Sequence, residues 1–224
     1  MRSRIVSARQ RRSARPLLAF GIAVLLAPAT ALAGTPLICH PYAIGAAKSL
    51  PGSDGDWKGV NPAYDRKNLV PDTLALLTPE TPIIVRMETL RRAAIYATAG
   101  LRGWGTQAGV NADDRATAMG LLEKLRDRIK DARGPAQTLA LFDVGFFTET
   151  LRHTGIDQSL DGYALLVKVL KLRGPDPEVE FALALASSWP NQRKEHVDHL
   201  ARARAGAQKG SLLATNLASH FSGS

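Results

Sequence analysis

The sequence has few of the residues that cross-link small domains, and it lacks several common catalytic and phosphate-binding motifs. Cys39 is the only cysteine among 224 residues, so no disulfide can form within the chain. Aromatic residues make up only 6% of the chain, and no glycine-rich phosphate loop, serine elbow or zinc-protease motif is present. The fold must therefore rest on an aliphatic core. Cys39 is a buried small side chain, a bridge to another molecule or a free thiol.

Acidic residues are missing from the first 33 positions. This stretch contains six arginines, an apolar run at residues 17–27 and a small-residue end, Ala31-Leu32-Ala33. These are the three parts of a secretory signal peptide, so residues 1–33 are predicted to be removed after Ala33. The alternative is an uncleaved anchor. The prediction is a periplasmic or secreted protein with no stable membrane span after cleavage.

The charge of the remaining chain excludes a strongly basic partner-binding surface. The whole chain has a net charge of +9, but six of its 29 basic residues lie in the predicted leader, leaving 23 against 20 acidic residues. A surface of mixed sign is expected, and no nucleic-acid partner is predicted.

Proline and glycine are concentrated in residues 34–80, which excludes long helices over most of this segment. Its apolar residues, including Leu37, Tyr42 and Trp57, need burial. We therefore predict an irregular arm packed on the rest of the chain, with one short helical turn from Asp72 to Leu77.

Residues 81–224 show the periodicity of helices and no convincing strand. Most of the helices open on a capping residue or a proline. Arg91 and Arg92 are interpreted as part of a solvated helix face. The predicted fold is all-α, with six to seven helices stacked as antiparallel pairs. These helices begin near Thr81-Pro82, Asn111, Thr138, Leu160, Asp176-Pro177, Asn191 and Leu212.

Residues 139–207 contain a helix from Tyr163, a break at residues 174–178 and an alanine-rich helix to Ala186. This arrangement resembles the junction between two tetratricopeptide repeats, with Leu183-Ala184 at the family's small-residue packing positions. Val144-Gly145 resembles an earlier copy, at a separation of 39 residues against a usual period of about 34. The resemblance implies a superhelix of stacked helix pairs, although His196 stands where the family has a small residue.

In the family that the chain resembles, peptides bind in a concave surface lined by the first helix of each repeat. The resemblance places a groove for a protein or peptide partner at Glu178, Phe181, Leu185, Ser188 and Trp189. The competing expectation is that these residues pack against a closing helix, Leu212–Phe221.

His196 and His199 are the weak metal candidates, because a spacing of three puts both on one helix face. A zinc site needs three or four ligands, and no clear third ligand accompanies them. Cys39 and His40 are adjacent, but neighbouring side chains of an extended segment point apart, which disfavours a catalytic pair. No metal or other cofactor is predicted.

Two functions remain open. The favoured one is an exported, non-enzymatic interaction or scaffold module of a bacterial-type cell envelope, resembling tetratricopeptide-repeat proteins. The alternative is a small exported enzyme with a site between the Cys39–Trp57 arm and the helices. Convergence of Cys39, His40 and a carboxylate in one pocket would favour the enzyme.

Overall fold

The structure is a computed structural model that describes residues 37–53, 58–98, 110–156, 159–188 and 192–221. These residues form eight α-helices and one 3₁₀ turn, Arg66–Asn68, without any strand. The predicted all-α class is confirmed, whereas the predicted leader lies outside the described residues. The helices are α1 (Leu69–Leu76), α2 (Ile83–Ala97), α3 (Ala112–Asp131), α4 (Gly134–His153), α5 (Gly162–Arg173), α6 (Pro177–Ala186), α7 (Arg193–Gly206) and α8 (Leu212–His220).

Several helices begin where the capping residues predicted. The side chain of Asn111 accepts a hydrogen bond from the backbone N–H of Asp114 at 2.8 Å, which caps α3. Asp176 accepts from the N–H groups of Glu178 and Val179 at the start of α6, with Pro177 in the first turn. These side chains satisfy donors that a helix start leaves unpaired.

Helix α2 begins at Ile83, as predicted near Thr81-Pro82, but without the predicted threonine cap; the predicted start of α4 is wrong, and the described residues contain one helix more than the predicted six to seven, where only a short helical turn was expected. Thr81 does not cap α2, because its hydroxyl donates to the carbonyl of Leu76 at 2.7 Å. Helix α4 begins at Gly134, four residues before Thr138, since Pro135 is tolerated in a first turn. The additional helix is α1, which lies within the predicted arm and accommodates Pro71 in the same way.

The most extensive helix contacts join α4 with α5 and α6 with α7. In the first pair two glycines face each other, and a Cβ built on Gly162 would lie 2.5 Å from the carbonyl oxygen of Gly145. This confirms the close approach that Gly145 predicts within a helix. In the second pair His196 donates from Nδ1 to the carbonyl of Ala184 at 2.7 Å.

Helix α2 is the most deeply placed element. Every one of its residues except Arg92 is buried, including Arg86, Glu88 and Arg91. The guanidinium group of Arg86 binds both carboxylate oxygens of Asp143 on α4, at 2.8 and 2.7 Å. No helix within the described residues is long and apolar enough to cross a membrane.

Candidate functional site

A buried ionic cluster on α2 holds the N-terminal arm. The carboxylate of Glu88 accepts hydrogen bonds from Nε of Arg91 at 2.8 Å and from Nε of Arg92 at 2.5 Å. It also accepts the backbone N–H of Tyr42 at 2.9 Å. The interpretation of Arg91 and Arg92 as solvated is wrong, because Glu88 and Arg91 are completely buried and Arg92 is mostly buried.

The two arginines are buried because the arm supplies main-chain acceptors for them. Arg91 donates to the carbonyl groups of Ile38 at 3.0 Å and Lys58 at 2.7 Å, while Arg92 donates to the carbonyl of Leu50 at 2.6 Å. Each guanidinium group thereby has hydrogen-bond acceptors in place of water, which a buried charge requires.

Tyr42 is the aromatic anchor of the arm. Its ring stacks on His220 of α8 at a centroid distance of 4.8 Å and meets the edges of Phe146 on α4 and Phe181 on α6 at 6.2 and 6.1 Å. The hydroxyl donates to the carbonyl of Leu37 at 3.2 Å, and burial raises the pKa of this phenol. The side chain is therefore neutral and fixed against three helices.

Asn216 on α8 fixes the arm's main chain next to that anchor. Its side-chain oxygen accepts the N–H of Ala43 at 2.8 Å, and its amide nitrogen donates to the carbonyl of the same residue at 2.9 Å. Asn216 is fully buried. A two-bond contact of this kind recognises a main-chain segment regardless of its side chains.

The arm is a large part of the core as well as a ligand of the ionic cluster. Leu37, Ile38, Tyr42 and Leu50 are all buried. Burial of an aliphatic or aromatic side chain contributes about 1.5–3 kcal/mol, and unfolded-state compactness makes this an upper estimate. Removing the arm would also take main-chain partners from Glu88, Arg91 and Asn216, although Glu88 and Arg91 would stay paired with each other, so this face of the helices is costly to leave empty.

Cys39 and His40 do not form a catalytic centre with a carboxylate in the described part of the chain. The thiol of Cys39 is half-buried, and burial raises its pKa while the nearby Arg91 opposes the shift. His40 is exposed, and its ring meets the edge of His220 at 6.0 Å. No group of three His, Cys, Asp or Glu residues is placed to hold a metal in the described ranges.

The five residues of the predicted groove do not share one accessible surface. Phe181 and Leu185 are completely buried, so in this conformation they belong to the core. The ring centroids of Phe181 and Phe221 are 6.0 Å apart. Phe181 therefore packs against the end of the closing helix, as the competing expectation states. The carboxylate of Glu178 accepts backbone N–H groups at the start of α2. Ser188 is half-buried at the end of α6, and Trp189 lies outside the described residues.

The two candidate metal ligands have separate roles in packing. His199 contacts Glu180 through Nδ1 at 2.5 Å and the hydroxyl of Tyr163 through Nε2 at 2.8 Å. Both ring nitrogens of His199 therefore have protein partners, and the contact links α5, α6 and α7. His196 uses Nδ1 to bind the carbonyl of Ala184, while its Nε2 is buried without a partner.

The open part of the molecule is a depression between the start of α4 and the end of α5. Its volume is about 510 Å³, within the range of known ligand sites. Leu172 on its wall is 57% exposed, which is unusual for a large apolar side chain in this protein. The guanidinium of Arg173 pairs with Asp176 at 2.7 Å beside it. The lining residues are Gly134, Pro135, Gln137, Thr138, Leu172, Arg173, Pro175 and Asp176.

The comparisons with known proteins give no relative from which a function could be transferred. No family model, no curated protein and no solved structure matches the chain.

Proposed function

We propose that this protein is an exported, non-enzymatic interaction module whose stacked helix pairs bind a segment of another polypeptide. The observation that carries the proposal is the open depression beside Leu172. It combines an accessible apolar side chain with polar groups of α4 and α5, which is the composition of surfaces that take up peptides.

Contacts within the two helix pairs support the repeat part of the proposal. Gly145 and Gly162 meet in the first pair, and Ala184 and His196 meet in the second. Gly162 follows Gly145 by 17 residues, whereas His196 follows Ala184 by 12.

The charge around the depression favours an acidic partner. Arg173 lines the depression, and the exposed Arg133 and Lys171 adjoin its lining residues Gly134 and Leu172 in the sequence, against Asp176 in the lining and the nearby Asp131. Lys130 is paired with Asp127 at 2.7 Å and is not counted. Opposite charge on a partner speeds association and selects against basic competitors. The proposed ligand is an extended segment with an apolar side chain that lies on Leu172 and acidic residues on either side of it.

Selection from displayed peptide libraries tests this function. Two libraries with a fixed central leucine, one flanked by Asp or Glu and one by Lys or Arg, are selected against the full chain. We expect enrichment from the acidic library and loss of binding in Leu172→Gln. The matched control is Val197→Gln, because Val197 is the other exposed large apolar residue, 45% exposed on α7. Equal binding by both variants would reject the depression as the site.

Export is a separate part of the proposal and rests on residues 1–33. Edman sequencing of the protein recovered from the periplasm or the medium should begin at Gly34. A membrane-bound product that retains Met1 would reject cleavage after Ala33.

The enzyme alternative is not proposed. Its candidate groups, Cys39 and His40, are not joined by a carboxylate in the described residues, and Arg91 is bound to Glu88 and to the main chain of the arm.

A further inference from the structure

The hydrogen bonds between the helices and the arm go mainly to the arm's main chain. Glu88 accepts the N–H of Tyr42, Asn216 binds both main-chain groups of Ala43, and Arg92 binds the carbonyl of Leu50. Proteins that bind extended peptides use the same division, with main-chain hydrogen bonds for affinity and pockets for alternate side chains. Here the pocket residue is Tyr42, enclosed by Phe146, Phe181 and His220.

We propose that the face of α2, α4, α6 and α8 beneath residues 37–50 is a peptide-binding groove, that the arm is its intramolecular ligand, and that the arm of a second copy takes the same place. This surface is distinct from the depression beside Leu172. The proposal concerns association of the protein with itself, by exchange of identical segments.

The choice of a second copy follows from the groups that the arm satisfies. Glu88 needs a main-chain donor, Arg91 needs carbonyl acceptors, and Asn216 needs one of each at a fixed separation. An arriving segment must replace all of these contacts and the aromatic anchor together, because a partly filled groove leaves buried hydrogen-bonding groups without their main-chain partners. The same segment of another copy meets every requirement, and such exchange is a low-cost route to dimers.

The first test supplies the arm in trans. A fluorescein-labelled peptide with the sequence of residues 37–50 is titrated into full-length Tyr42→Ala protein, whose own arm lacks the anchor, and anisotropy is measured. We expect this peptide to bind at least about tenfold more tightly than the same peptide with Tyr42→Ala, as the loss of a buried aromatic anchor predicts. Introducing Asn216→Ala into the protein should weaken binding further.

The second test uses complementation between two defective chains. Tyr42→Ala protein has a defective arm and an intact groove, whereas Asn216→Ala protein has the reverse. Mixing them should give a mixed dimer in size-exclusion chromatography with light scattering, since one intact arm then meets one intact groove. The matched control replaces the first chain with the Tyr42→Ala/Asn216→Ala double variant, which cannot restore an intact pair and should give no dimer.

Each outcome decides the proposal. Equal affinity for the two peptides, absence of binding by a folded Tyr42→Ala protein, or a mixture that remains monomeric would overturn it. If Tyr42→Ala protein is unfolded alone, the test becomes recovery of helical circular dichroism on addition of peptide. Recovery with the native sequence and not with the alanine peptide supports the groove, and recovery with neither peptide overturns it.

Discussion

The face under the arm and the open depression use the same kinds of side chain in different surroundings. Glu88 and Arg91 are fully buried and bonded to main-chain groups, whereas Arg173 and Asp176 form a partly exposed pair. Breaking a buried ion pair by removing one partner is costly because the remaining charge is not hydrated. An exposed pair contributes little to stability and remains available for a partner. The comparison therefore favours a mainly structural role for the first region and agrees with the recognition that is proposed for the second.

The largest expected effect comes from Glu88→Ala. This change leaves the guanidinium groups of Arg91 and Arg92 without their carboxylate and removes the acceptor of the Tyr42 N–H. We expect the free energy of unfolding to fall by about 3–5 kcal/mol, measured by urea denaturation. Asp198→Ala is the control, because its pair with Lys194 is exposed, and its unfolding midpoint should be unchanged. A small effect of Glu88→Ala would remove the distinction between the two regions.

The next effect concerns the contact between α4 and α5, the two helices that border the depression. In Gly162→Ala the new Cβ would lie 2.5 Å from the carbonyl oxygen of Gly145 and 2.7 Å from Oε1 of Glu149. The helices must separate, at a cost of about 1–3 kcal/mol. Gly120→Ala in α3 is the matched control, since its Cβ would meet nothing within 4 Å and alanine favours a helix by about 1 kcal/mol. Thermal melts should move in opposite directions, and parallel shifts would refute the tight contact.

Acid should weaken the face of the helices beneath the arm. Burial lowers the pKa of His220; hydrogen bonds to the main chain of Asn216 and His40 oppose this shift, while the charges of His40 and Arg91 add to it. The unfolded chain therefore binds a proton more readily, so stability falls as the pH decreases through about 6.5, the pKa of a free histidine. Urea midpoints at pH 7.5 and 5.5 should differ more for the native protein than for His220→Gln. An identical difference in both proteins would exclude His220 as the source.

The smallest expected effect on stability is that of Leu172→Gln. More than half of the Leu172 side chain is already exposed, so the free energy of unfolding should change by no more than about 0.5 kcal/mol. The same variant should lose binding of the acidic peptides. A marked drop in the melting temperature would mean that Leu172 contributes to packing. The depression would then have a structural role, like the face of the helices beneath the arm.

Local chemistry predicted much of the fold. Asn111 and Asp176 cap the helices that follow them, and Gly145 marks a close helix contact. These predictions succeeded because each depends on a few neighbouring residues or on the absence of a side chain. The all-α class follows from the same periodicity and needs no knowledge of distant contacts.

The face of the helices beneath the arm could not be predicted in the same way. Adjacent arginines in a helix, such as Arg91 and Arg92, usually face solvent. Here the carbonyl groups of the arm, which is distant in the sequence, make their burial possible. The contact of Tyr163 with His199 joins residues 36 positions apart. The one feature of the sequence that could have indicated this burial is that Glu88, Arg91 and Arg92 lie on a helix made up largely of apolar residues.

The two hydrogen bonds between the side chain of Asn216 and the main chain of Ala43 also bear on the order in which contacts of the arm form during folding. The two residues are separated by 173 positions, so the loop that this contact closes contains most of the chain. Closing such a loop costs entropy before any contact repays it, and pairings this distant slow folding. During synthesis the arm emerges long before α8 exists, so its final partner is absent until nearly the whole chain has been made. The contact with Asn216 can therefore form only after α8 has been made, whereas the contacts of the arm with Glu88, Arg91 and Arg92 need only α2.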